Sequence, residues 1–256
     1  MPSDRKLKSN VMKRNFRILP LMVSVLVLVF ALTVSSCKKK DKDEPQQENT
    51  SHSWAPEPEN GEVPNSILPA SLYNAVTSKI TIYSGSNPAH ADGQFVSSPH
   101  HLFYSTMEND TVSTYNDRYI AFVFRNGRVD FYGKQWDDSE DNYYEEVYRD
   151  LYPLGNDSTF TCYYLTEGWQ DGYYCKQSTI FSGKWKSSYG GLKDFKVAVI
   201  LLENGGHPYM PAPGAFRVLG DADGLARDTN WMAKKAFLNN DVTVSDKNAF
   251  SMFIVK

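Results

Sequence analysis

The chain has 256 residues, of which 22% are charged and 41% hydrophobic, with three cysteines and a formal net charge of −3. These values exclude a collagen, a coiled coil, a disulfide-dense miniprotein and a wholly disordered chain, and one long apolar run is too few for a multi-span membrane protein. Lys and Arg concentrate in residues 1–36, so the rest of the chain is more acidic than the average. Proteins bind nucleic acid through an excess of Lys and Arg, so nucleic acid is not expected as a partner of this chain.

The first 36 residues have the order of a secretory signal. A basic stretch is followed by an apolar run over residues 21–34, which is shorter than the ~20 residues that cross a bilayer as a helix. A transmembrane anchor is the alternative interpretation. We predict that residues 1–36 are a signal peptide that directs export.

The end of this segment carries a specific motif. Val34-Ser35-Ser36-Cys37 resembles the lipobox of bacterial lipoproteins, in which small residues precede a cysteine that receives a diacylglycerol group. The resemblance implies that the mature chain begins at Cys37 and that acyl chains hold it on a membrane. The alternative is that Cys37 is an ordinary thiol.

Residues 37–66 are predicted to be the lipidated cysteine and a flexible linker. They contain many charged residues and prolines and few apolar residues, so they bury too little surface to offset chain entropy. Asp41, Asp43 and Glu44 resemble the surface-export signal of Bacteroidota lipoproteins, although three lysines precede them and depart from that signal. We expect the chain to be anchored to the outer membrane. Both the periplasmic side and the cell-surface side of that membrane stay open as its location.

Residues 67–256 are predicted to form one all-β domain. Apolar and polar residues alternate over residues 80–82, 128–131 and 250–254, and segments rich in Tyr, Phe, Val and Thr recur between clusters of Asn, Asp, Gly and Ser. This pattern is typical of a single antiparallel β-sandwich or a calycin-like β-barrel.

One hairpin can be placed residue by residue. Asn126-Gly127 favours a type I′ turn, because both central positions of that turn need a positive φ. The turn would pair Phe122 with Phe131 on one face. It would also place Arg125 opposite Arg128, which is tolerable only where both side chains reach solvent.

Other elements are predicted downstream. A second turn is expected at Gly190-Gly191, followed by a central strand over residues 197–202 that is buried on both faces or nearly so. The helical signal is thin and is confined to a short helix capped by Asp228 or Asn230, which would include Trp231.

Two sequence blocks are specific enough to compare with known proteins. They are Ile82-Tyr83-Ser84-Gly85 with Asn87-Pro88, Gly93 and Ser98-Pro99, and Phe216-Arg217-Val218 with Asp221-Ala222-Asp223-Gly224-Leu225. These blocks resemble uncharacterised cell-envelope lipoproteins of Bacteroidota, with Ala89 where a second proline is typical. The resemblance covers most of the predicted domain and implies an envelope location, but it adds no activity and no site residue.

Asp221 and Asp223, followed by Gly224, suggest a calcium loop, because hard cations prefer clustered carboxylate oxygens. Aligned as an EF-hand, the loop has no acidic residue at its first and last ligand positions. An irregular site that adds Asp228 stays open, but an Asp/Gly turn is the favoured interpretation. We therefore expect no metal and no other cofactor.

Three histidines are candidate zinc ligands. His100 and His101, with His90 nearby, could bind Zn²⁺ through their imidazole nitrogens. Adjacent residues of a strand point to opposite faces, so both could join one site only in a loop. No carboxylate stands at a fixed spacing from them, and solvated histidines are the favoured interpretation.

An acidic run occurs in the middle of the chain. It comprises Asp137, Asp138, Glu140, Asp141, Glu145 and Glu146. Glycosidases place two carboxylates across a cleft, but such a run on a polar segment favours a solvated loop. The chain has no Gly-x-Ser-x-Gly, His-Glu-x-x-His or phosphate-binding Gly loop. We therefore expect that the protein is not an enzyme. The alternative is a hydrolase whose catalytic residues are scattered along the chain.

Aromatic residues are abundant, with 16 Tyr, 14 Phe and 5 Trp. Flat rings with one polar edge stack on sugar faces and lose little rotamer entropy, although such residues also suit any half-buried β-sheet surface. Two groups are predicted to be loop-tip aromatics beside charged residues. The predicted ligand-binding residues are Trp136, Tyr143, Tyr144, Trp169, Tyr173 and Tyr174.

Cys162 and Cys175 are predicted to form a disulfide. They lie in two runs rich in Tyr and Thr, and a hairpin turn centred between Gly168 and Trp169 would place them directly opposite one another. Export supplies an oxidising compartment, and with Cys37 lipidated the remaining cysteine count is even. Two unpaired thiols in a shifted register are the alternative.

The sequence is compatible with two functions. The first is a non-catalytic, membrane-anchored lipoprotein of the cell envelope that binds a glycan or another ligand through exposed aromatics. The second is a structural or interaction subunit of an envelope protein complex, in which the same aromatics would serve as the interface. The expected partners are thus the membrane, through the lipid anchor, and either a glycan or an envelope protein.

Overall fold

The computed structural model describes residues 50–108, 110, 114–137 and 141–231, all of which lie within one compact unit, Gln47–Lys256. Of residues 137 and 142 it describes the backbone alone. The predictions for Cys37, for Asp138 and Glu140, for residues 250–254 and for the helix beyond Trp231 lie outside the described residues.

Strands make up most of the described chain. The elements are β1 (Thr50–Trp54), α1 (Ala70–Thr77), β2 (Ser86–Asn87), β3 (Gly93–Ser97), β4 (His100–Ser105), β5 (Thr114–Tyr115), β6 (Arg118–Arg125), β7 (Arg128–Asp137), β8 (Asn142–Leu151), β9 (Gly155–Asn156), β10 (Thr159–Gln170), β11 (Tyr173–Trp185), β12 (Gly191–Glu203), β13 (Phe216–Asp221) and β14 (Leu225–Asp228).

Two antiparallel meanders form one large sheet. β6, β7 and β8 pair in sequence order, as do β10, β11 and β12, and the two halves join through β14, which pairs with β12 and with β3. Beside this path, β13 pairs with β12 and with β4. β1 adds to the outer edge of β10, and β8 returns alongside β1, so the sheet is nearly closed into a barrel. The prediction of an antiparallel all-β fold is confirmed.

Phenylalanine rings fill the middle of the barrel. Phe131 stacks on Phe181 with ring centroids 4.2 Å apart, and Phe122 makes edge contacts with Phe160 and Phe195. All five side chains are buried. Aromatic pairs of this geometry contribute ~0.5–1.5 kcal/mol each beyond the burial of apolar area, so this ring cluster is a main source of stability.

The Asn126-Gly127 hairpin forms as predicted. The two residues have φ of +50° and +76°, and the register pairs Phe122 with Phe131 and Arg125 with Arg128. Because side chains alternate between the two faces of a strand, the rings point into the barrel and the arginines lie on its outer surface.

Strand β12 is buried on both faces, as its sequence predicts. Val197 and Val199 belong to the cluster inside the barrel, whereas Ala198 and Ile200 belong to a second apolar cluster on the outer face. The strand begins directly after Gly190, whose φ of +67° ends a short 3₁₀ turn. The hairpin thus turns over residues 186–190, slightly before the predicted Gly190-Gly191, and Gly191 already belongs to the strand.

Helix α1 covers this outer cluster and was not predicted. Val76 of the helix and Leu68 just before it pack with residues of the outer cluster. Leu68, Leu72 and Val76 recur at every fourth position, and Pro69 immediately precedes the helix, both of which favour helix formation. The pattern spans only two turns, which is why the surrounding strand signals obscured it.

Residues 50–66, predicted as part of the linker, belong to the barrel instead. β1 pairs with β10 from Thr50 to Trp54, and Tyr163 donates a hydrogen bond from its hydroxyl to the carbonyl oxygen of Pro56. Pairing at a sheet edge uses backbone donors and acceptors, so a polar segment can join the sheet without a strong apolar pattern.

The hairpin between β10 and β11 turns later than predicted. Asp171 and Gly172 form the turn, with φ of +50° and +83°. Asp-Gly strongly favours a type I′ turn. The chain therefore turns at Asp171-Gly172 and not between Gly168 and Trp169.

This register separates the two cysteines, so the predicted disulfide is wrong. Cys162 is opposite Phe181, and Cys175 is opposite Gly168. At ~3.4 Å per strand residue, the two sulfurs lie about 20 Å apart along the ladder. Both are free, buried thiols.

We expect two free thiols per chain in the Cys37→Ser variant. Burial raises the pKa of the Cys175 thiol to about 11 and raises that of Cys162 as well, so neither thiol should react in the folded protein. Thiol titration with and without denaturant, in the absence of reductant, measures this directly. A denatured chain that shows no reactive thiol until it is reduced would contradict the register of this hairpin.

Candidate functional site

A buried ion pair lies on the interior side of the barrel wall. Arg118 of β6 donates from Nη2 to Oε1 of Glu146 on β8, and the two side chains are 6% and 7% exposed. Gly133 of β7 lies opposite Glu146, where an added Cβ would overlap the carboxylate. Glycine at this position therefore makes room for the charged group.

Two tyrosines lie next to the ion pair. Tyr148 of β8 stacks on Tyr164 of β10 with ring centroids 3.5 Å apart. Burial raises the pKa of Glu146, and the Arg118 charge beside it offsets this only in part. Among the described residues, no acceptor reaches Arg118 Nε. Desolvation of two charges is costly, so the pair is not explained by net stability alone.

The three histidines do not meet. His100 is fully buried, which corrects the expectation that all three are solvated, and burial lowers its pKa to about 3. Its Nδ1 lies 3.0 Å from the hydroxyl of Ser97. His101 contacts Phe103 on the opposite face of β4, and His90 is exposed. Within the described ranges, no group of three His, Cys, Asp or Glu side chains is placed to hold a metal ion.

Asp221 and Asp223 form a hydrogen-bonded turn. Asp221 accepts the backbone N–H of Ser98 at 2.9 Å and that of Asp223 at 3.2 Å. Asp223 accepts a hydrogen bond from Arg227 at 2.5 Å, and its pKa is lowered to about 2, first by its hydrogen bond with Asp221 and then by Arg227. Asp228 lies in β14, paired with β3. The carboxylates of Asp221 and Asp223 are thus used by their own turn.

Glu145 and Glu146 lie in strand β8, which corrects the prediction of a solvated acidic loop. Glu145 points outward and lies 3.0 Å from Lys134 Nζ, whereas Glu146 points inward. The sequence contains the signal for this difference, because Glu146 alternates in step with Tyr144 and Tyr148. The acidic residues around Glu146 make this alternation hard to recognise in the sequence.

One aromatic pair lies at the β7–β8 hairpin. Trp136 and Tyr143 are direct cross-strand partners with ring centroids 4.9 Å apart, edge to face. Lys134 Nζ lies 4.0 Å from the centre of the Tyr143 ring and also pairs with Glu145. Tyr143 is 43% exposed, so this pair offers both a ring face and charged hydrogen-bonding groups to solvent.

A matching pair lies at the β10–β11 hairpin. Trp169 and Tyr174 are direct cross-strand partners with ring centroids 5.7 Å apart, again edge to face. The Tyr174 hydroxyl donates to Glu167 at 2.9 Å, and Lys176 Nζ lies 3.6 Å from the same carboxylate oxygen. Each hairpin thus combines a Trp–Tyr pair with a Lys–Glu pair.

Tyr144 and Tyr173, predicted with these residues, are placed elsewhere. Tyr144 lies on the interior side of β8, in step with Glu146. Tyr173 packs against the interior cluster, and its ring lies 4.9 Å from that of His207. Neighbouring residues on a strand point to opposite faces, so these two cannot share the outer surface of Tyr143 and Tyr174.

Both outer pairs lie at the end of the barrel where β1 begins. Thr50 is the direct partner of Trp169, and β8 returns beside β1, so β1 separates the two pairs. We call this surface the aromatic end. It comprises Lys134, Trp136, Tyr143, Glu145, Glu167, Trp169, Tyr174 and Lys176.

Comparison of the chain with protein-family models, with curated proteins and with solved structures finds no match. In the part of the chain that the structure describes, no helix has both the length and the apolar character needed to cross a membrane.

We expect the single variants Glu146→Leu and Arg118→Met each to lower the free energy of unfolding by about 3–5 kcal/mol, because each leaves one buried charge without its partner. The double variant should be more stable than either single variant, since it removes both charges. Urea unfolding of the full chain measures all three.

The matched control is the more exposed Lys134–Glu145 pair, which joins β7 to β8. Lys134→Met and Glu145→Leu should each cost less than about 1 kcal/mol, as is usual for surface ion pairs. Equal losses for the buried and the exposed pair would show that Arg118 and Glu146 are not desolvated as described.

Proposed function

We propose that the protein is a non-catalytic lipoprotein of the cell envelope, anchored through Cys37, whose barrel binds a glycan at the aromatic end. The observation that carries the proposal is the repeated arrangement of an edge-to-face Trp–Tyr pair beside a Lys–Glu pair on two hairpins. The motif before Cys37 and the two sequence blocks that resemble Bacteroidota envelope lipoproteins support the location.

The chemistry of these surfaces suits a carbohydrate. A sugar ring presents C–H groups on one face, which pack on aromatic rings, and hydroxyls at its edge, which need hydrogen-bonding partners. Trp136 and Trp169 supply the rings, and the neighbouring Lys and Glu side chains supply donors and acceptors. Strands lie ~4.8 Å apart, so two pairs separated by β1 stand roughly 10–15 Å apart and could contact successive sugars of one chain.

The position of β1 determines how far the aromatic end can lie from the membrane anchor, and so which glycans it can contact. Thr50 lies at the aromatic end, opposite Trp169. Residues 38–49 span at most about 40 Å when fully extended. A chain anchored at Cys37 would therefore present the aromatic end to glycans of the envelope close to its own membrane, on the outer membrane in our proposal.

A protein partner is the second candidate. Tyr209, in the segment between β12 and β13, is 68% exposed, and Trp54 of β1 is 38% exposed. Exposed Tyr and Trp are enriched at protein interfaces. An envelope protein that buries these rings would make the chain a structural or interaction subunit, and the binding experiment below separates the two functions.

The anchor is tested at Cys37. We expect Cys37→Ser to release the protein from the membrane fraction and to abolish labelling by radioactive palmitate, because the thioether to the lipid cannot form. Cys162→Ser is the matched control, since this buried thiol should leave both readouts unchanged. Labelled palmitate retained in Cys37→Ser would rule out lipidation at this residue.

Glycan binding is tested on an array of envelope polysaccharides and oligosaccharides. We expect the full-length protein to bind a subset of glycans and expect Trp136→Ala and Trp169→Ala each to weaken that binding at least about tenfold, as the loss of a stacked ring does at other binding surfaces. Tyr73→Ala, which removes an exposed ring on α1, is the control and should bind normally.

The outcomes discriminate between the two functions. Glycan binding that survives in both Trp variants would contradict the aromatic end as the site. The absence of any glycan hit, together with co-purification of one envelope protein that Tyr209→Ala abolishes, would favour the interaction subunit.

A further inference from the structure

A small pocket lies at the other end of the barrel, beside the Asn126-Gly127 turn, and has a volume of about 240 Å³. Its lining residues are Arg125, Asn126, Arg128, Asp130, Arg149 and Asp150. Sites for drug-sized ligands occupy ~300–1,000 Å³. This pocket therefore suits a small group, or the terminal group of a larger molecule.

Three arginines converge at this pocket, and the repulsion between their charges opposes folding. Arg125 and Arg128 are direct cross-strand partners, and like charges at opposed positions repel. Arg149 enters from β8, where the pairing with β7 is irregular between Val129 and Phe131. Such irregularities re-aim side chains and occur often beside functional sites.

Two of the guanidinium groups are held in place by uncharged neighbours. The Arg128 Cζ lies 3.2 Å from the centre of the Tyr152 ring, and its Nη1 donates to the backbone oxygen of Asp150 at 3.3 Å. Arg149 Nη1 lies 3.3 Å from the Tyr132 hydroxyl. A guanidinium fixed in this way can donate two parallel hydrogen bonds to an oxyanion.

The two aspartates reduce the positive charge of the pocket but do not cancel it. Asp130 accepts the backbone N–H of Asp150 at 3.1 Å, and its other oxygen lies 3.8 Å from Arg149. Asp150 is exposed and has a φ of +55°. Three arginines against two carboxylates leave a locally positive site on a chain with a formal charge of −3.

We propose that this pocket binds an oxyanion group, a phosphate, sulfate or carboxylate, through Arg125, Arg128 and Arg149. The shared chemistry is a compact group with several acceptor oxygens, carried by a small soluble ligand or by a lipid headgroup. The site lies at the opposite end from Trp136 and Trp169, so it does not depend on glycan binding there.

The test is calorimetric titration of the full-length protein in detergent with inorganic phosphate and with sodium sulfate at low ionic strength. Saturable binding that weakens as sodium chloride is added is expected, because salt screens the attraction. Arg125→Ala and Arg128→Ala should each weaken binding at least about tenfold, since each removes a charge-assisted pair of hydrogen bonds.

Two conservative variants keep the test decisive if an alanine variant fails to fold. Arg128→Lys retains the charge but loses the planar fork, so binding should be weaker than in the wild type. Asp130→Asn removes one negative charge, so binding should be tighter. Arg227→Ala removes an exposed arginine of β14 outside the pocket and should leave binding unchanged; thermal unfolding checks the fold of every variant.

Further titrations identify the source of the oxyanion. Arginine-dependent binding of glycerol phosphate, with no response to glycerol, would assign a small soluble ligand, and preference for phosphatidylglycerol vesicles over phosphatidylcholine vesicles would assign a lipid headgroup. No saturable binding of phosphate or sulfate by the wild-type protein would overturn the proposal. An equal loss of binding in Arg227→Ala would also overturn it, because the attraction would then be a general effect of surface charge.

Discussion

The buried pair of Arg118 and Glu146 places a strict constraint on the barrel interior. Two charges inside an apolar interior must keep each other within contact, because either one alone would be desolvated without compensation. That requirement fixes β6 and β8 on either side of β7, and it explains why residue 133 is a glycine. A larger side chain at this point would compete with the carboxylate for the same space.

The closure of the barrel also depends on side chains more than on the backbone. β8 returns alongside β1, but the hydrogen-bonded order of the large sheet ends at β8 on one side and β1 on the other. Across this seam, Tyr148 stacks on Tyr164. The tyrosine stack therefore acts where a continuous ladder of backbone hydrogen bonds would act in a fully closed barrel.

The interior rings occupy the space within the sheet, so the groups offered to a ligand lie on the outer surface. Two such surfaces stand at opposite ends. One carries paired Trp and Tyr rings beside Lys–Glu pairs, and the other carries three arginines around a small pocket. Both depend on hairpins, because direct cross-strand neighbours are the closest side chains that a sheet can present.

Turn chemistry accounts for much of what could be read from the sequence. Asn126-Gly127 set the register of β6 and β7 correctly, because a type I′ turn admits few residue pairs. The same rule applied to Asp171-Gly172 would have placed the β10–β11 turn correctly and would have separated Cys162 from Cys175. The predicted pairing of the two cysteines fails because Asp-Gly is the stronger local signal for the turn.

The sequence by itself determined the all-β fold, the hairpin at Asn126 and the doubly buried strand over residues 197–202, because period-two alternation and turn residues are local properties. It also marked six aromatic residues as surface candidates, of which Trp136, Tyr143, Trp169 and Tyr174 lie on the outer surface and Tyr144 and Tyr173 on the interior side. Only the tertiary structure decided that Glu146 meets Arg118 on the interior side of β7, that residues 50–54 join the sheet, and that three arginines share one pocket. These features depend on contacts between residues far apart in the chain, whose energies come from burial and charge that no local pattern records.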